Sequence, residues 1–596
     1  MQLQFLLVTM WHIKRWFKIF AFILILLWLT MSLNMIDPII RTHGDQASLD
    51  QQVAQTKKEI KILELKGDEL QKEVEELEKQ IDNYKRSQLN NMIHRDAEYH
   101  YENISDILVA NSKSGGLKDM MPAKDLDAPS IEYEITRRRL RRDINEFWWF
   151  LKAALKAPKD NEVSMFQNFD DTLNEAAHRH GTLLSILSKL QDVDGYANWR
   201  NLEAADLSEI VQKRLYALQN PADCLNAKKL LCNLNKLCGF GCQLHHVVYC
   251  FIVAYATERT LMLYSENWRY DKAGFEEVFE PLSENCGFSK EELKSRVMWP
   301  GDDNTRMIEL PIIEYMQPRP EFLPPAIPDD LSDRIIRLHG NPTVWWISQF
   351  LKFLLRPQQT TFELLKEVES QRYKKVPMVG IHIRRTDKLD KEAAFHGVEE
   401  YMKHVKTFFQ QVEINTGDTS LSPKIVYIAS DDPGVFSECR TKYPEYTFLG
   451  DEARAQSAKM SSRYNKNSLL GLISDIHMLS LSDYIVCTFS SQVCRLAYEI
   501  QQQRYVDGSW RFKSLDDTWY FGGADHHQEV IMAHGSNDID ELNLKIGDII
   551  SVAGNHWNGY NKGRNHANDR IGLYPLYKTR ERYKTYPFPT YHDIHL

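Results

Sequence analysis

Residues 19–36 read IFAFILILLWLTMSLNMI, 18 positions without a charge, preceded by Lys14, Arg15 and Lys18 and closed by Asp37. A run of that length crosses the hydrocarbon core of a thin bilayer, and cations on its N-terminal flank hold that side in the cytosol. A cleaved signal peptide is the alternative. Such peptides carry about 7–15 apolar residues and a small-x-small cleavage site, and this run is longer with no such site after it. The expectation is therefore a type II anchor. Residues 1–18 form a cytosolic tail, 19–36 the membrane span, and nearly everything beyond Asp37 lies in a lumen. The mean hydropathy of -0.45 excludes a polytopic membrane protein. With Lys plus Arg at 73 against Asp plus Glu at 82, the net charge of -9 argues against a nucleic-acid partner recruited by overall positive charge.

Behind the anchor, Leu49, Leu63, Leu70 and Leu77 share one heptad position, and Val53, Ile60, Val74 and Ile81 share the other. This predicts a coiled-coil stalk over 45–87 that pairs two copies of the chain. Alternatively, the segment packs against the helical stretch from about Ile131 to Leu155 within one chain. Residues 88–220 read as a linker and helical region, with a glycosylation sequon at Asn103. Six of the nine cysteines fall within 224–286 at spacings that contain no C-x2-C knuckle, so disulfides are expected rather than zinc. Cys439 is the expected odd thiol. Spacing alone leaves the pairing of the other eight open.

Three segments of the second half share one design. Met378–Ile383 ends in Arg384-Arg385, Ile425–Ala429 ends in Ser430-Asp431-Asp432, and Tyr484–Phe489 ends in Ser490-Ser491-Gln492. Each reads as a buried parallel strand, with helical periodicity over Glu399–Val412, Ser468–Leu481 and Val493–Ile500 between and after them. Ligands of open α/β sheets sit beyond the carboxyl ends of the strands. Two guanidiniums and a helix N-terminus there make an anion site, most simply for a diphosphate. The competing reading is that the arginines are surface ion-pair partners and Ser-Ser a plain helix cap. No GxxxxGK[ST] or GxGxxG loop is present, which argues against P-loop and classical dinucleotide enzymes. The charged stretch Arg384–Lys388 and Glu392 carries the groups that leaving-group stabilisation and proton removal from a hydroxyl would need. A lone Asp538-Ile539-Asp540 fits the metal-binding pattern of sugar transferases but lies far from the strand ends. Arginines can neutralise a diphosphate in place of a metal, so no metal is expected.

From about residue 520 the chain turns to short strands. Glu541–Ile550, His556–Gly559 and Gly572–Pro575 follow the order of an SH3 barrel, while the usual first strand survives only as Val530–His534. A proline-peptide groove is therefore doubtful, and the Pro-rich 317–328 reads as a rigid linker rather than its ligand.

An anchor, a stalk, an α/β core reading GIHIRRTDK and a terminal SH3 module occur together in one family. The chain resembles the N-glycan core α1,6-fucosyltransferases through Cys238–Cys250, Asn267–Tyr270, Gly380–Lys388, Glu392–His396, Cys487–Cys494 and Ala553–Trp557. The resemblance implies a GT-B-like, Rossmann-type parallel-sheet catalytic domain over 221–515 and an SH3 β-barrel over 520–582. It implies inverting transfer of fucose from GDP-fucose to O6 of the Asn-linked GlcNAc of N-glycans on glycoproteins, without a cofactor, in the Golgi. Glu392 matches the base, assisted by Lys388 and Asp387. Arg384, Arg385, His382, Asp475, Ser491, Gln492, Tyr270, Lys236 and Gly239 match donor-side positions. Tyr401, Asp431, Asp432, Asp516, Asp517, His556 and Lys562 match positions assigned to the acceptor side or required for activity. The implied disulfides are Cys224–Cys286, Cys232–Cys250, Cys238–Cys242 and Cys487–Cys494. The chain departs from the family at Gly397 and Glu321, where prolines are expected, and at Phe240, where a tyrosine is. A membrane-anchored adaptor with a dead α/β domain is the competing class, and the presence of Arg384, Glu392 and Ser491 counts against it.

Overall fold

The computed structural model describes residues 57, 61, 129–156, 166–372, 376–386, 394–419, 422–458, 462–521 and 526–591. The expected anchor, most of the stalk, the sequon at Asn103, and Asp387, Lys388 and Glu392 lie outside the described residues. The chain divides into two compact units, Met1–Met120 and Met121–Leu596. In the first, only residues 57 and 61 are described, and both are helical.

The second unit opens with helices α1 (Ile131–Lys156), α2 (Phe166–Val193) and α3 (Ala197–Gln219). The first α/β half follows with β1 (Lys229–Asn233), α4 (Phe240–Ala256), β2 (Thr260–Tyr264), α5 (Lys290–Lys294), β3 (Val297–Met298) and β4 (Met307–Glu309). Its four strands are parallel in the order β2-β1-β4-β3. Leu230 and Cys232 face a large core shared with Leu207, Val211 and Leu215 of α3 and Leu244, Val247, Val248 and Phe251 of α4. Leu231 points the other way, toward Met262 and Met307, as strand alternation requires.

Next come β5 (Ala326–Pro328), α6 (Ser332–Leu338), α7 (Pro342–Leu354) and α8 (Gln359–Ser370). The second half contains β6 (Met378–Ile383), α9 (Val398–Thr416), β7 (Lys424–Ser430), α10 (Gly434–Lys442), β8 (Tyr446–Leu449), α11 (Glu452–Ser457), α12 (Lys466–Ser480), β9 (Tyr484–Cys487), α13 (Gln492–Gln501) and β10 (Phe512–Ser514). All five strands are parallel, in the order β10-β9-β6-β7-β8. Every residue of β6 is buried, His382 among them, as its largely apolar sequence predicts. Val379, Ile381 and Ile383 face Val398, Met402, Val405 and Phe409 of α9. Met378, Tyr427 and Ile485 face Met478 and Leu479 of α12 and Ala497 and Tyr498 of α13. Leu469 and Ile473 of α12 and Leu496 of α13 belong instead to the core of the first half. The two halves thus share these helices as a common layer.

The chain runs outward from β6 to β7 and β8, then returns to β9 on the other side of β6. The carboxyl ends of β6 and β9 therefore flank the reversal of strand order, where open α/β sheets open a crevice.

A five-stranded antiparallel sheet closes the unit, in the order β14 (Ile571–Pro575), β13 (Tyr560–Asn565), β12 (Ile549–Asn555), β11 (His527–Val530), β15 (Thr579–Glu581). Val530, Leu542, Leu544, Ile550 and Tyr574 fill its small core. The last strand, β16 (Lys584–Tyr586), pairs with β5. The Pro-rich segment is therefore no free linker. Phe322 packs on Tyr586 and Phe588, and Thr343 donates to the Pro325 carbonyl. These ring contacts, with Trp346 and Tyr255, fix it to the core.

The four disulfides are those the resemblance implied, and Cys439 is free and buried. Cys232, His246 and Cys250 bring three residues of metal-ligand type together, but the two sulfurs are bonded to each other.

Candidate functional site

Asp431, just past β7, organises the arginine loop after β6. It is 2% exposed. Its carboxylate pairs with Nη1 of Arg384 at 2.9 Å, accepts from the backbone N–H groups of Arg385 (2.8 Å) and Thr386 (3.2 Å), and takes the Thr386 hydroxyl. Ser430 Oγ donates to the Ile383 carbonyl and ties the two strand ends together. Arg385 pairs with Glu438 at 2.7 Å and lies 4.8 Å from the ring centre of Phe395. Its Nε and Nη2 are buried and have no partner among the described residues. Buried N–H donors of a cation are costly to leave unpaired, so this edge is suited to an anion. The ion-pair reading holds here, since Asp431 and Glu438 pair with Arg384 and Arg385, and the same carboxylates orient the two guanidiniums at the strand end.

Two helix N-termini meet beside this loop. α13 begins at Gln492 with the buried Ser491 as its cap, and α4 begins at Phe240 with Gly239 as its cap. Neither cap makes a side-chain hydrogen bond to its helix. They approach so closely that a Cβ on Gly241 would lie 2.8 Å from Cβ of Gln492 and 3.1 Å from its carbonyl carbon. Three disulfides hold this junction. Cys232–Cys250 ties β1 to α4, Cys238–Cys242 closes the first turn of α4, and Cys487–Cys494 spans the turn from β9 to α13. Converging N-termini concentrate unpaired N–H donors and positive dipole ends, which favours a phosphate between them. The Tyr270 hydroxyl accepts from the Phe240 N–H at 2.9 Å, and burial pushes its phenol up to about 12. The Lys236 carbonyl accepts from Gln243 Nε2 at 2.7 Å and fixes the loop before α4. Arg269, not singled out from the sequence although it lies in the quoted Asn267–Tyr270 stretch, reaches the Cys238 carbonyl and stacks 3.3 Å over Tyr464. Phe240 sits within the aromatic cluster of Trp268, Tyr270 and Phe279, so the site is packed without the expected hydroxyl.

We expect Gly241→Ala to force this junction apart. Overpacking of this kind costs about 1–3 kcal/mol of stability, and nucleotide affinity should fall about tenfold. Thermal unfolding and calorimetric titration of GDP would check both.

His382 and Asp475 lie on one side of the second sheet, which joins β6 to α12. Burial, the adjacent Arg384 and the opposing Asp431 leave the His382 imidazole at about 4, hence neutral, and its buried Nδ1 has no partner among the described residues. Asp475 accepts from the Tyr427 hydroxyl at 2.7 Å, and burial raises its carboxyl to about 6 despite Tyr427 and Arg454. A carboxyl raised to that value is mostly ionised above pH 6 and below it mostly protonated, with one oxygen turned into a donor. If only the ionised form binds a purine edge, GDP affinity should fall about tenfold between pH 7.5 and 5, following the ionised fraction. Calorimetry at the two values would show it.

Asp516 and Asp517 follow β10. Asp516 accepts from Ser514 Oγ at 2.9 Å and from the Ser490 N–H at 3.4 Å, which joins it to the β9 turn. Burial raises the Asp517 carboxyl. Trp557 of the antiparallel sheet donates to the Asp516 carbonyl at 3.4 Å, and Gly554, register partner of Lys562, lies against Asp517. His556 and Lys562 are exposed on the same part of the antiparallel sheet. Tyr401 is buried on α9, its phenol pushed far up by burial and then by the charge of Asp516. Asp432 accepts from the Gly434 N–H at 2.9 Å and lies 3.7 Å from Arg385. The structure therefore puts Asp431 and Asp432 with the arginine pair, and Asp516 and Asp517 between the β9 turn and the Trp557 loop of the antiparallel sheet.

The fold and site define an α/β protein with an arginine pair and two helix N-termini where the carboxyl ends of its two halves meet, an arrangement suited to an anion. The model of the family described as alpha-(1,6)-fucosyltransferase N- and catalytic domains matches residues 8–520, and the chain belongs to that family. An alpha-(1,6)-fucosyltransferase of Drosophila melanogaster is 48% identical over 493 residues, 82% of this chain and 79% of that protein. One of Caenorhabditis elegans is 34% identical over 571 residues, 94% of this chain and 97% of its own. Among solved structures, NodZ alpha-1,6-fucosyltransferase co-crystallised with GDP covers 45% of this chain and 91% of its own at 11% identity, with a TM-score of 0.28.

Proposed function

We propose that this protein transfers fucose from GDP-fucose in α1,6 linkage to the innermost, Asn-linked GlcNAc of N-glycans. Membership of the α-(1,6)-fucosyltransferase family supports the reaction class. The observation that carries the donor site is the convergence of two helix N-termini with the Asp431-oriented arginine pair. The diphosphate lies between Ser491-Gln492, Gly239 and Arg384, and the guanine lies against His382 and Asp475. Glu392 takes the proton from O6 of GlcNAc, with Lys388 and Asp387 assisting. O6 forms a bond to the anomeric carbon from the face opposite the diphosphate, the bond from that carbon to the β-phosphate oxygen breaks, and GDP leaves with inversion. Arg384 and the helix N-termini bear the charge that develops on the leaving group, so no metal is needed.

The antiparallel sheet, read as an SH3-like barrel on a GT-B-like core, presents His556 and Lys562 to the glycan beside Asp516 and Asp517. The luminal cysteine pattern and the apolar run 19–36 support a single-pass type II protein of the Golgi membrane, paired through its 45–87 stalk.

Thermal unfolding of the full chain tests the donor. GDP at a hundredfold over its Kd should stabilise it by about 2.7 kcal/mol while UDP does little, and transfer should persist in EDTA. Equal protection by UDP would contradict the guanine reading, and loss of transfer in EDTA would contradict metal independence.

A further inference from the structure

His245 and Glu499 are buried polar residues with no role in the reaction as described. Glu499 lies on α13, seven residues beyond Gln492, with 0% exposure. It accepts from Nε2 of His245 at 2.8 Å and from Nε1 of Trp519 at 3.0 Å. The other ring nitrogen of His245, Nδ1, meets Oε1 of Gln492. Phe521 closes over the imidazole, ring centres 5.2 Å apart.

A carboxylate and an amide oxygen are both acceptors, so each nitrogen of His245 faces an acceptor and stands in a donor position. With Oε1 of Gln492 held by Nδ1–H, the amide NH2 is left as the free end, and among the described residues it makes no hydrogen bond. It belongs to the first residue of α13, opposite the N-terminus of α4. The opposite role at Nδ1 would reverse this. With the ring's one proton on Nε2 facing Glu499, Nδ1 would be an acceptor, Gln492 would turn its NH2 inward, and its carbonyl oxygen would face the crevice and repel an anion.

We propose that His245 and Glu499 are positioning residues that hold the Gln492 amide with its NH2 toward the donor diphosphate. The proposal rests on the donor site described under the proposed function. Trp519 binds the second oxygen of Glu499 and follows Asp516-Asp517 in sequence, so the same carboxylate also anchors the segment behind the acceptor rim.

The test is calorimetric titration of GDP into the full-length protein, as wild type, Glu499→Gln, Gln492→Ala and the double variant. Each single change should weaken GDP about tenfold, and the double variant should be no weaker than about tenfold, because both act through one amide. At saturating donor, kcat of Glu499→Gln should stay within about threefold of wild type. An additive loss near a hundredfold, or a folded Glu499→Gln that binds GDP within twofold of wild type, would overturn the proposal. If Glu499→Gln does not fold, His245→Gln enters the same cycle with the same two outcomes. Failure of wild type to bind GDP would instead contradict the donor reading itself.

Discussion

Arg384→Lys should lower kcat/KM for GDP-fucose about a thousandfold, roughly 4 kcal/mol of transition-state stabilisation. Lysine keeps the charge but not the planar fork. Arg384 uses one Nη to pair with Asp431 at 2.9 Å, which fixes the plane of the guanidinium at the mouth of the crevice. An ammonium can satisfy Asp431 or a phosphate oxygen, but it cannot present parallel N–H groups to both. The loss should fall mostly in kcat, because charge on the leaving diphosphate grows only as the glycosidic bond breaks. Steady-state kinetics would separate the two. A rise in KM alone would mean that Arg384 holds the ground state and leaves the departing charge to the helix N-termini.

The second large effect is expected from Asp431→Asn. This residue touches no ligand in the proposed reaction, yet it collects an ion pair, two backbone N–H groups and a hydroxyl. Asparagine replaces one acceptor oxygen with a donor. One of the loop's N–H or O–H groups then faces an NH2, and Arg384 loses its counter-charge. Removing one partner of a buried pair costs about 3–5 kcal/mol. Because Arg384 remains partly exposed, at 17%, a loss near 3 kcal/mol is expected. Denaturant unfolding should show that loss, and kcat/KM should fall about a hundredfold as the arginine loop relaxes. Unchanged stability would mean that water replaces Asp431 without penalty.

The second sheet was legible because its strands are apolar runs that stop at charges. Met378–Ile383 is β6 as read, an apolar run broken by His382 alone before the charge at Arg384. The strand read as Tyr484–Phe489 ends at Cys487, because Thr488 already belongs to the turn that Cys487–Cys494 closes. The first sheet was not read. Its β1 begins with a lysine that is buried only through its 2.9 Å pair with Glu292, and β4 has three residues. Neither gives a periodic signal. The Pro-rich stretch was taken for a spacer because its partner, β16, lies more than 250 residues away in sequence, and composition cannot show such a pairing. The roles of Asp431, His245 and Glu499 are likewise set by neighbours distant in sequence. Asp538 and Asp540 form a local turn, with the Asp540 N–H donating to Asp538 Oδ1 at 2.9 Å.

The most direct measurement incubates the full-length chain with GDP-fucose and a GlcNAc-terminated biantennary N-glycopeptide, beside Glu392→Gln and Arg384→Ala. The product is followed by mass and by fragmentation that locates the added sugar. The account predicts one fucose on the Asn-linked GlcNAc with wild type, and almost none with either variant. Fucose on an antennary GlcNAc, or undiminished transfer by Glu392→Gln, would contradict it.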